Sequence, residues 1–169
     1  MINKYFKIKK SKIGINIYKP TFNSDNRGQI WTAYKSEFFP KLNFKHDKFT
    51  FAKKNTLRGL HGDNITWKLL TCVSGEIFAV VVNNDKKSKQ FYIHESFYLN
   101  DKNKSLILIP PKMLLGWCCI SKDSVVSYKM SYKGSYVDHD RQFTVKWNDP
   151  KIKIKWPIKK PILSKRDKG

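Results

Sequence analysis

Hydrophobic residues along this chain fall into short runs that polar turns separate. Some runs alternate apolar with polar residues, as half-buried strands do, whereas others are almost continuously apolar. The clearest runs cover residues 1–19, 29–34, 69–82, 91–99 and 105–109. Ser74 and Gly75 interrupt the long run and predict a hairpin-like turn there. Because long stretches of helical periodicity are missing from the sequence, the pattern predicts an all-β fold.

Later segments continue the same pattern. Val126, Tyr128, Met130 and Tyr132 are spaced two residues apart and therefore share one face of a predicted strand. Residues 151–156 alternate lysine with apolar residues and predict another half-buried strand rather than a nucleic-acid-binding tail. Short strands at this spacing favour an antiparallel sandwich or jelly roll. Since neither a repeat nor a low-complexity linker divides residues 1–169, we predict a single domain.

The sequence carries a large excess of basic residues over acidic ones. A formal net charge of +21 on 169 residues raises nucleic acid as a partner. Only four of the 34 basic residues are arginines, however, and specific nucleic-acid sites favour arginine for its bidentate hydrogen bonds. The lysines are scattered along the whole chain. We therefore expect a dispersed basic surface and no nucleic-acid partner, although this surface attracts anionic nucleotides at long range.

Composition also bears on compartment and metal binding. No apolar run reaches the length of a membrane span, and no signal peptide opens the sequence, so we predict a cytoplasmic protein without a membrane partner. The three cysteines (Cys72, Cys118 and Cys119) lie in apolar segments and are expected to be buried free thiols. The four histidines do not form a His-x-His pair, so we predict no metal site.

Candidate chemistry is concentrated in one stretch, Leu-Arg-Gly-Leu-His-Gly-Asp at residues 57–63, with a lysine shortly after it. The Arg58 guanidinium suits a diphosphate, and the His61 imidazole can remove a proton near neutral pH. The Lys68 ammonium can stabilise the oxyanion that such a proton loss creates. This set predicts proton abstraction next to a carbonyl on a phosphate-bearing substrate. The simpler alternative is an ordinary strand-end histidine and a solvated lysine.

The Arg-Gly-Leu-His motif with its following lysine resembles the signature of the cupin-like nucleotide-sugar 3,5-epimerases. Residues 147–167 resemble the end of that family in order and spacing, and the resemblance extends from about residue 20 to residue 167. It implies a cupin-type jelly roll and a cofactor-free isomerase that inverts C3, C5 or both of a nucleotide-linked 4-keto sugar. In that reaction His61 is the base, Asp167 orients it, Lys68 steadies the enolate and Tyr128 is the acid on the opposite face.

The resemblance also implies a set of substrate contacts. Arg58 holds the diphosphate, and Arg27, in the turn Asp-Asn-Arg-Gly, reaches a phosphate across the boundary of a homodimer. Tyr136 is a candidate for stacking on the nucleotide base.

Departures from the family pattern concern the substrate more than the reaction. His46 and Lys48 replace two amides around the shared Asp47, Asp63 replaces a glutamine, and Leu115 replaces a pocket histidine. We expect His46, Lys48 and Asp63 to contact the substrate. The nucleotide and the sugar stay open.

Two rival functions and one geometric difficulty stand beside this interpretation. A 3,4-ketoisomerase on the same scaffold would move the ketone instead of inverting a carbon. A non-catalytic sugar-nucleotide binder would tolerate the loss of the pocket histidine at Leu115. Strict alternation also places Arg58 and His61 on opposite faces of a strand, so a bend at Gly59 or Gly62 must bring them together.

Overall fold

The computed structural model of the protein describes residues 2–168, and strands dominate that range. The strands are β1 Phe6–Lys10, β2 Asn16–Pro20, β3 Phe22–Asp25, β4 Gly28–Trp31, β5 Phe44–Lys53, β6 Leu57–Gly62, β7 Trp67–Asn83, β8 His94–Asn100, β9 Leu106–Ile109, β10 Met113–Ser131 and β11 Phe143–Thr144. Two 3-10 turns cover Ile2–Lys4 and Ser36–Phe38, and one short helix, α1, covers Lys165–Lys168. All pairings between these strands are antiparallel, which confirms the predicted all-β class.

The two longest strands, β7 and β10, connect the two layers of a jelly roll. They pair with each other from Met113 opposite Asn83 to Ser131 opposite Trp67. The first half of β7 also pairs with β9, and β5 covers the facing half of β10. The second half of β7 pairs with β8, and β6 covers the other half of β10. Each long strand therefore contributes one half to each layer.

The bend that divides β7 lies at Gly75. Its φ of +74° belongs to the left-handed region, and an added Cβ would lie 2.1 Å from the Asp123 carbonyl oxygen. The pairing register with β10 shifts at the same level, between Cys119 and Ser124. The prediction of a hairpin-like turn at Ser74 and Gly75 was therefore wrong. The same residues bend one continuous strand, because β10 bends beside it and keeps both halves paired.

A buried apolar core fills the space between the two layers. It includes Leu70 and Val126 from one layer and Val81 and Leu115 from the other, each at most 6% exposed. Cys72 and Cys119 belong to the same cluster, and Cys118 belongs to a second one. All three cysteines are buried and free, as the sequence predicted. The predicted period-two face of β10 is confirmed for Val126, which is fully buried.

Residues 151–156 are irregular, so the prediction of a strand there was wrong. The backbone turns at once, because the amides of Ile152 and Lys153 both donate to the Asp149 carbonyl oxygen. Lys153 then has a φ of +58°, which ends any extended run. The apolar side chains still point inward, since Ile152 is 4% exposed and packs with Trp156 on the second core cluster. The alternating pattern of residues 151–156 thus predicted correctly that apolar side chains are buried, but it predicted the wrong backbone conformation.

The strands β3 and β4 form a separate hairpin that pairs only with itself within residues 2–168. All eight of its residues are exposed, including Phe22, Ile30 and Trp31. Among the helices that the structure describes, none is long and apolar enough to cross a membrane.

Candidate active site

One cavity of about 310 Å³ collects most of the side chains that the sequence singled out. It opens among β5, β6, β7 and β10 and is closed on one side by the segment after β10 and by α1. The predicted site residues in its lining are Lys48, Arg58, His61, Lys68, Tyr128, Tyr136 and Asp167. Three other predicted contacts, Arg27, His46 and Asp63, are not part of that lining.

His61 and Asp167 form a hydrogen-bonded pair although 106 positions separate them in sequence. The distance from Nε2 of His61 to Oδ1 of Asp167 is 2.7 Å. Asp167 is 6% exposed and also accepts hydrogen bonds from the Ser164 hydroxyl at 2.7 Å and the Gly59 amide at 3.2 Å. Burial alone would raise the pKa of this carboxyl, but the hydrogen bonds from His61 and Ser164 outweigh burial and lower that pKa. In a neutral imidazole, this carboxylate favours the tautomer with the proton on Nε2 and the lone pair on Nδ1.

Gly59 resolves the geometric difficulty between Arg58 and His61. Its φ of +118° belongs to the left-handed region, and this local twist interrupts the alternation of β6. An added Cβ at Gly59 would lie 2.5 Å from Cα of Gly116 on the neighbouring strand. Leu60 consequently points into the core, while Arg58 and His61 both line the cavity.

Lys68 is buried at the floor of the cavity, with 8% of its surface exposed. Its Nζ lies 3.7 Å from Oδ2 of Asp63, which is itself 3% exposed. Burial lowers the pKa of Lys68, and the Asp63 carboxylate opposes that shift. The other Asp63 oxygen accepts the backbone amides of Ile65 and Thr66. Asp63 therefore lies behind Lys68 as its buried counter-charge. Its side chain faces the protein interior and not the cavity, so the substrate contact expected for it stays a prediction without support from this geometry.

Tyr128 lines the cavity from β10, and its hydroxyl has a defined partner. The indole Nε1–H of Trp117, a residue only 1% exposed, donates to the Tyr128 oxygen. Burial raises the pKa of Tyr128 to about 12, against the opposing effect of that hydrogen bond. The phenol is thus neutral near pH 7, and because its oxygen already accepts from Trp117, its own O–H is available to donate into the cavity.

The mouth of the cavity carries an aromatic and basic cluster. The Lys48 ammonium lies 4.9 Å from the centroid of the Tyr136 ring, within the range of a cation–π contact. The ring of His46 meets the same tyrosine edge to face at 4.8 Å between centroids. His46 therefore supports Tyr136 from behind and does not line the cavity, although the sequence predicted a direct contact for it.

Two further positions noted in the sequence do not belong to this aromatic and basic cluster. Arg27 is on the turn of the β3–β4 hairpin and pairs with Asp25 at 2.6 Å, with 86% of its side chain exposed. Leu115 lies opposite His61 in the pairing of β10 with β6 and lines the cavity. The wall beside the base is therefore apolar where the family pattern has a histidine.

Several residues in or beside the cavity were missed by the sequence analysis. Trp117, which orders Tyr128, and Ser164 and Arg166 line the cavity, whereas Thr144 lies outside the lining and contacts His61 and Arg166. The alternation of β10 carried a signal for Trp117, because it is two residues from Leu115. The other three are distant from His61 in sequence, and their positions follow only from β11 pairing with β6 and from α1 closing the cavity.

The protein is thus a jelly roll whose cavity is lined by an imidazole, an ammonium and a phenol, groups that can transfer protons. A family model described as dTDP-4-dehydrorhamnose 3,5-epimerase matches residues 11–169. The chain belongs to this family, and it is accordingly an epimerase, an enzyme of the isomerase class.

Individual relatives agree with the family match. The dTDP-4-dehydrorhamnose 3,5-epimerase of Salmonella typhimurium is 32% identical over 160 residues, which cover 89% of this chain and 86% of that protein. A crystal structure of the Legionella pneumophila dTDP-6-deoxy-D-glucose-3,5-epimerase in complex with dTDP-4-keto-L-rhamnose superposes with a TM-score of 0.90 at 25% identity, covering 97% of this chain and 90% of that one. The Bacillus anthracis dTDP-4-dehydrorhamnose 3,5-epimerase, with TDP and PPi bound, gives 0.89 at 27% identity, covering 96% and 97%.

Proposed function

We propose that this protein inverts C3, C5 or both of a nucleotide-linked 4-keto sugar by removing a proton from one face and returning one to the other. The observation that supports this most directly is the joint position of His61 and Tyr128 in one cavity, with Asp167 behind the histidine. The His61 imidazole can accept a proton, and the Tyr128 phenol can donate one. A chain that only bound sugar nucleotides would have no use for both.

The substrate is held by its charge. Arg58 lines the cavity and, unlike Lys68 with Asp63, has no carboxylate within salt-bridge distance among the described residues. Its planar guanidinium fits two oxygens of a diphosphate. Lys48 adds a second cation at the mouth, beside the Tyr136 ring, which we expect to stack on the base. The sugar then extends inward, toward His61 and Lys68.

The first chemical step is proton removal. The C4 ketone acidifies the hydrogens on C3 and C5, and the Nδ1 lone pair of His61 takes one of them. The electron pair moves onto the ketone oxygen as an enolate, which the buried Lys68 ammonium stabilises without solvent reorganisation. Asp167 stabilises the imidazolium that forms. Because the 4-keto group is the electron sink, the proposed reaction uses neither a cofactor nor a metal ion.

The second step is protonation from the opposite face. Tyr128 donates its phenolic proton to the enolate carbon, the carbonyl re-forms, and the centre is inverted. The resulting phenolate is stabilised by the Trp117 N–H. Before the next turnover, the His61 imidazolium releases its proton to solvent and the Tyr128 phenolate takes one from solvent.

Product analysis in deuterated water tests this function. The protein is incubated with a panel of 4-keto nucleotide sugars that includes dTDP-4-keto-L-rhamnose, and proton NMR follows C3, C4 and C5. We expect deuterium at an inverted C3 or C5 and a ketone that stays at C4. Migration of the ketone to C3 would indicate the 3,4-ketoisomerase instead. Binding without any exchange would indicate a non-catalytic binder.

We also propose a homodimer in which the β3–β4 hairpin of one copy reaches the cavity of the other. The hairpin exposes Phe22, Ile30 and Trp31 and pairs with no other strand of the main sheet within residues 2–168, which suits an arm that packs on a second copy. Arg27 at its tip would then supply a phosphate contact in trans. A sedimentation experiment showing a fully active monomer at micromolar concentration would overturn the dimer.

Mixing two damaged copies tests the role of Arg27 in trans. Arg27→Glu and His61→Asn damage the same composite site from different chains. A heterodimer of the two variants therefore contains one intact site and one doubly damaged site. After subunit exchange we expect activity to rise to about a quarter of the parent value. A mixture that stays as inactive as its components would place Arg27 in the cavity of its own chain or outside the site.

A single domain, a cytoplasmic location and the lack of a nucleic-acid partner stay predictions. The three buried free cysteines support a reducing compartment.

A further inference from the structure

The buried carboxylate of Asp63 has one oxygen bound to the backbone and the other directed at Lys68. Its Oδ1 accepts hydrogen bonds from the amides of Ile65 at 2.9 Å and Thr66 at 2.6 Å. Its Oδ2 accepts no hydrogen bond within residues 2–168 and lies 3.7 Å from the Lys68 ammonium. The two backbone hydrogen bonds therefore hold this negative charge behind Lys68, independently of any substrate.

Apart from Asp63, the surroundings of Lys68 act against a positive charge. Burial removes the ammonium from water, and the side chains of Arg166 and Lys48 repel it across the cavity. Each of these effects lowers the pKa of Lys68, with burial the largest. Among the described residues, only the Asp63 carboxylate lies within salt-bridge distance of Lys68. Asp63 is therefore the group that opposes the loss of the Lys68 proton.

Other titratable or charged groups also face the cavity. They are Lys48 of β5, Arg58 and His61 of β6, Tyr128 of β10, Tyr136, Asp138 and His139 of the segment after β10, and Arg166 and Asp167 of α1. The Asp167 carboxylate is bound by His61 and Ser164, and Asp138 is exposed. A substitution at Asp63 leaves all of these groups in place.

The charge state of Lys68 decides which chemistry it performs beside a ketone. An ammonium donates hydrogen bonds and stabilises an enolate oxygen. A neutral amine is a nucleophile, and it adds to a carbonyl carbon to give a Schiff base. In that condensation a bond forms between the amine nitrogen and C4, and the ketone oxygen leaves as water. The enolate oxygen would then be lost, and the sugar would be tethered to the protein.

We propose that Asp63 is a positioning residue that keeps Lys68 an ammonium, so that Lys68 stabilises the enolate and does not condense with the ketone. The inference rests on the proposed function, which brings the C4 ketone beside Lys68. It goes beyond that function by assigning a role to a carboxylate that lies outside the cavity lining.

Carbon NMR of protein labelled at lysine tests the charge state without substrate. Lys68→Arg identifies the Lys68 signal, and Asp63→Asn keeps an oxygen for the amides of Ile65 and Thr66. We expect the titration midpoint of Lys68 to fall by about 1–3 pH units in Asp63→Asn, because an opposite charge within a few ångströms is lost. Asp123→Asn, which removes a carboxylate from an exposed position of β10, should leave that midpoint in place. Equal midpoints in the parent and Asp63→Asn would overturn the proposal.

The pH profile of kcat for solvent exchange separates this role from a merely structural one. Activity requires the Lys68 ammonium, so it is lost as pH rises through the pKa of Lys68. Asp63→Asn should move this alkaline limb to lower pH by the same interval as the NMR midpoint, with little change in KM. A loss of kcat that is uniform at every pH would overturn the proposal.

Reductive trapping tests the chemical consequence. Each protein is incubated at neutral pH with dTDP-4-keto-L-rhamnose and sodium cyanoborohydride, which delivers hydride to the carbon of an imine and leaves a stable secondary amine. Mass spectrometry should find this adduct on Lys68 in Asp63→Asn, but not in the parent or in Asp63→Asn combined with Lys68→Arg. An adduct on Lys68 of the parent would overturn the proposal, even where Asp63→Asn fails to fold. A lowered midpoint without an adduct supports the role of Asp63 and contradicts a ketone beside Lys68, and with it the proposed function.

Discussion

Asp167→Asn tests the proposed base most quantitatively, because the change removes a charge and keeps the shape. In the parent, one carboxylate oxygen accepts from Nε2 of His61 at 2.7 Å and from the Gly59 amide at 3.2 Å. An asparagine oxygen in the same place can accept both hydrogen bonds, and the Ser164 hydroxyl can turn to accept from the new NH₂ group. The fold is therefore expected to survive. The change instead destabilises the His61 imidazolium that forms during the reaction, because this imidazolium no longer faces a negative charge.

The magnitude follows from the contacts. A hydrogen bond to a charged partner is worth about 1.5–3 kcal/mol and a neutral one about 0.5–1.5 kcal/mol. The difference of about 1–2 kcal/mol corresponds to a rate loss of roughly 5- to 30-fold. If the amide turns and presents its NH₂ to the ring, the wrong tautomer forms, and the loss reaches about 10⁴-fold. We thus expect kcat to fall by at least several-fold, with KM close to the parent value because Arg58 is untouched.

The assay is the rate of deuterium incorporation from solvent at saturating substrate, with Ser164→Ala as the matched control. That control removes a contact to the other carboxylate oxygen and keeps the charge. We expect a smaller loss there than in Asp167→Asn. If Asp167→Asn exchanged deuterium at the parent rate, the pair would be structural, and the mechanism would need another means of activating His61.

Three further predictions follow from buried groups. Lys68→Met should abolish exchange and also destabilise the fold by about 3–5 kcal/mol, because it leaves the buried Asp63 carboxylate unpaired. The double variant with Asp63→Asn should regain stability but not activity. Recovery of activity would contradict the role of the ammonium. Gly59→Ala should cost at least about 1–3 kcal/mol in urea unfolding, since its φ is +118° and the added Cβ meets Gly116; a fully stable variant would contradict the described bend. Folding lowers the pKa of Asp167. The stability that this carboxylate contributes is therefore present above its unfolded pKa of about 3.9 and is lost as pH falls through the folded value. The free energy of unfolding of Asp167→Asn should accordingly fall less steeply with acid than that of the parent, and equal steepness would contradict the shift.

Much of this site could be predicted from the sequence, because the resemblance to the family identified its residues. Arg58, His61 and Lys68 lie close together in one motif, so their shared cavity needed only the bend at Gly59. Asp167 lies 106 positions from His61, and the alternation of β6 does not reveal that pairing. Only the resemblance of the C-terminal segment linked the two residues before the fold was known.

Other features depend on three-dimensional contacts that a linear pattern does not record. The hairpin expected at Ser74 and Gly75 became a bend because β10 bends beside it. Asp63 looked like a substrate contact in the motif, yet the turn after β6 directs it behind Lys68. Arg166 looked like one more cation in a lysine-rich C-terminus. In the fold it donates hydrogen bonds to Thr144, which the two-residue strand β11 brings beside His61.

In the proposed reaction, His61 and Tyr128 act on opposite faces of one sugar carbon. Measuring deuterium incorporation and inversion together by NMR, for His61→Asn and Tyr128→Phe, tests this arrangement. We expect His61→Asn to lose both. Tyr128→Phe should keep exchange on the histidine side, while inverted product falls about 10²–10⁴-fold. Inverted product at the parent rate from Tyr128→Phe, or exchange at the parent rate from His61→Asn, would contradict the two-base mechanism.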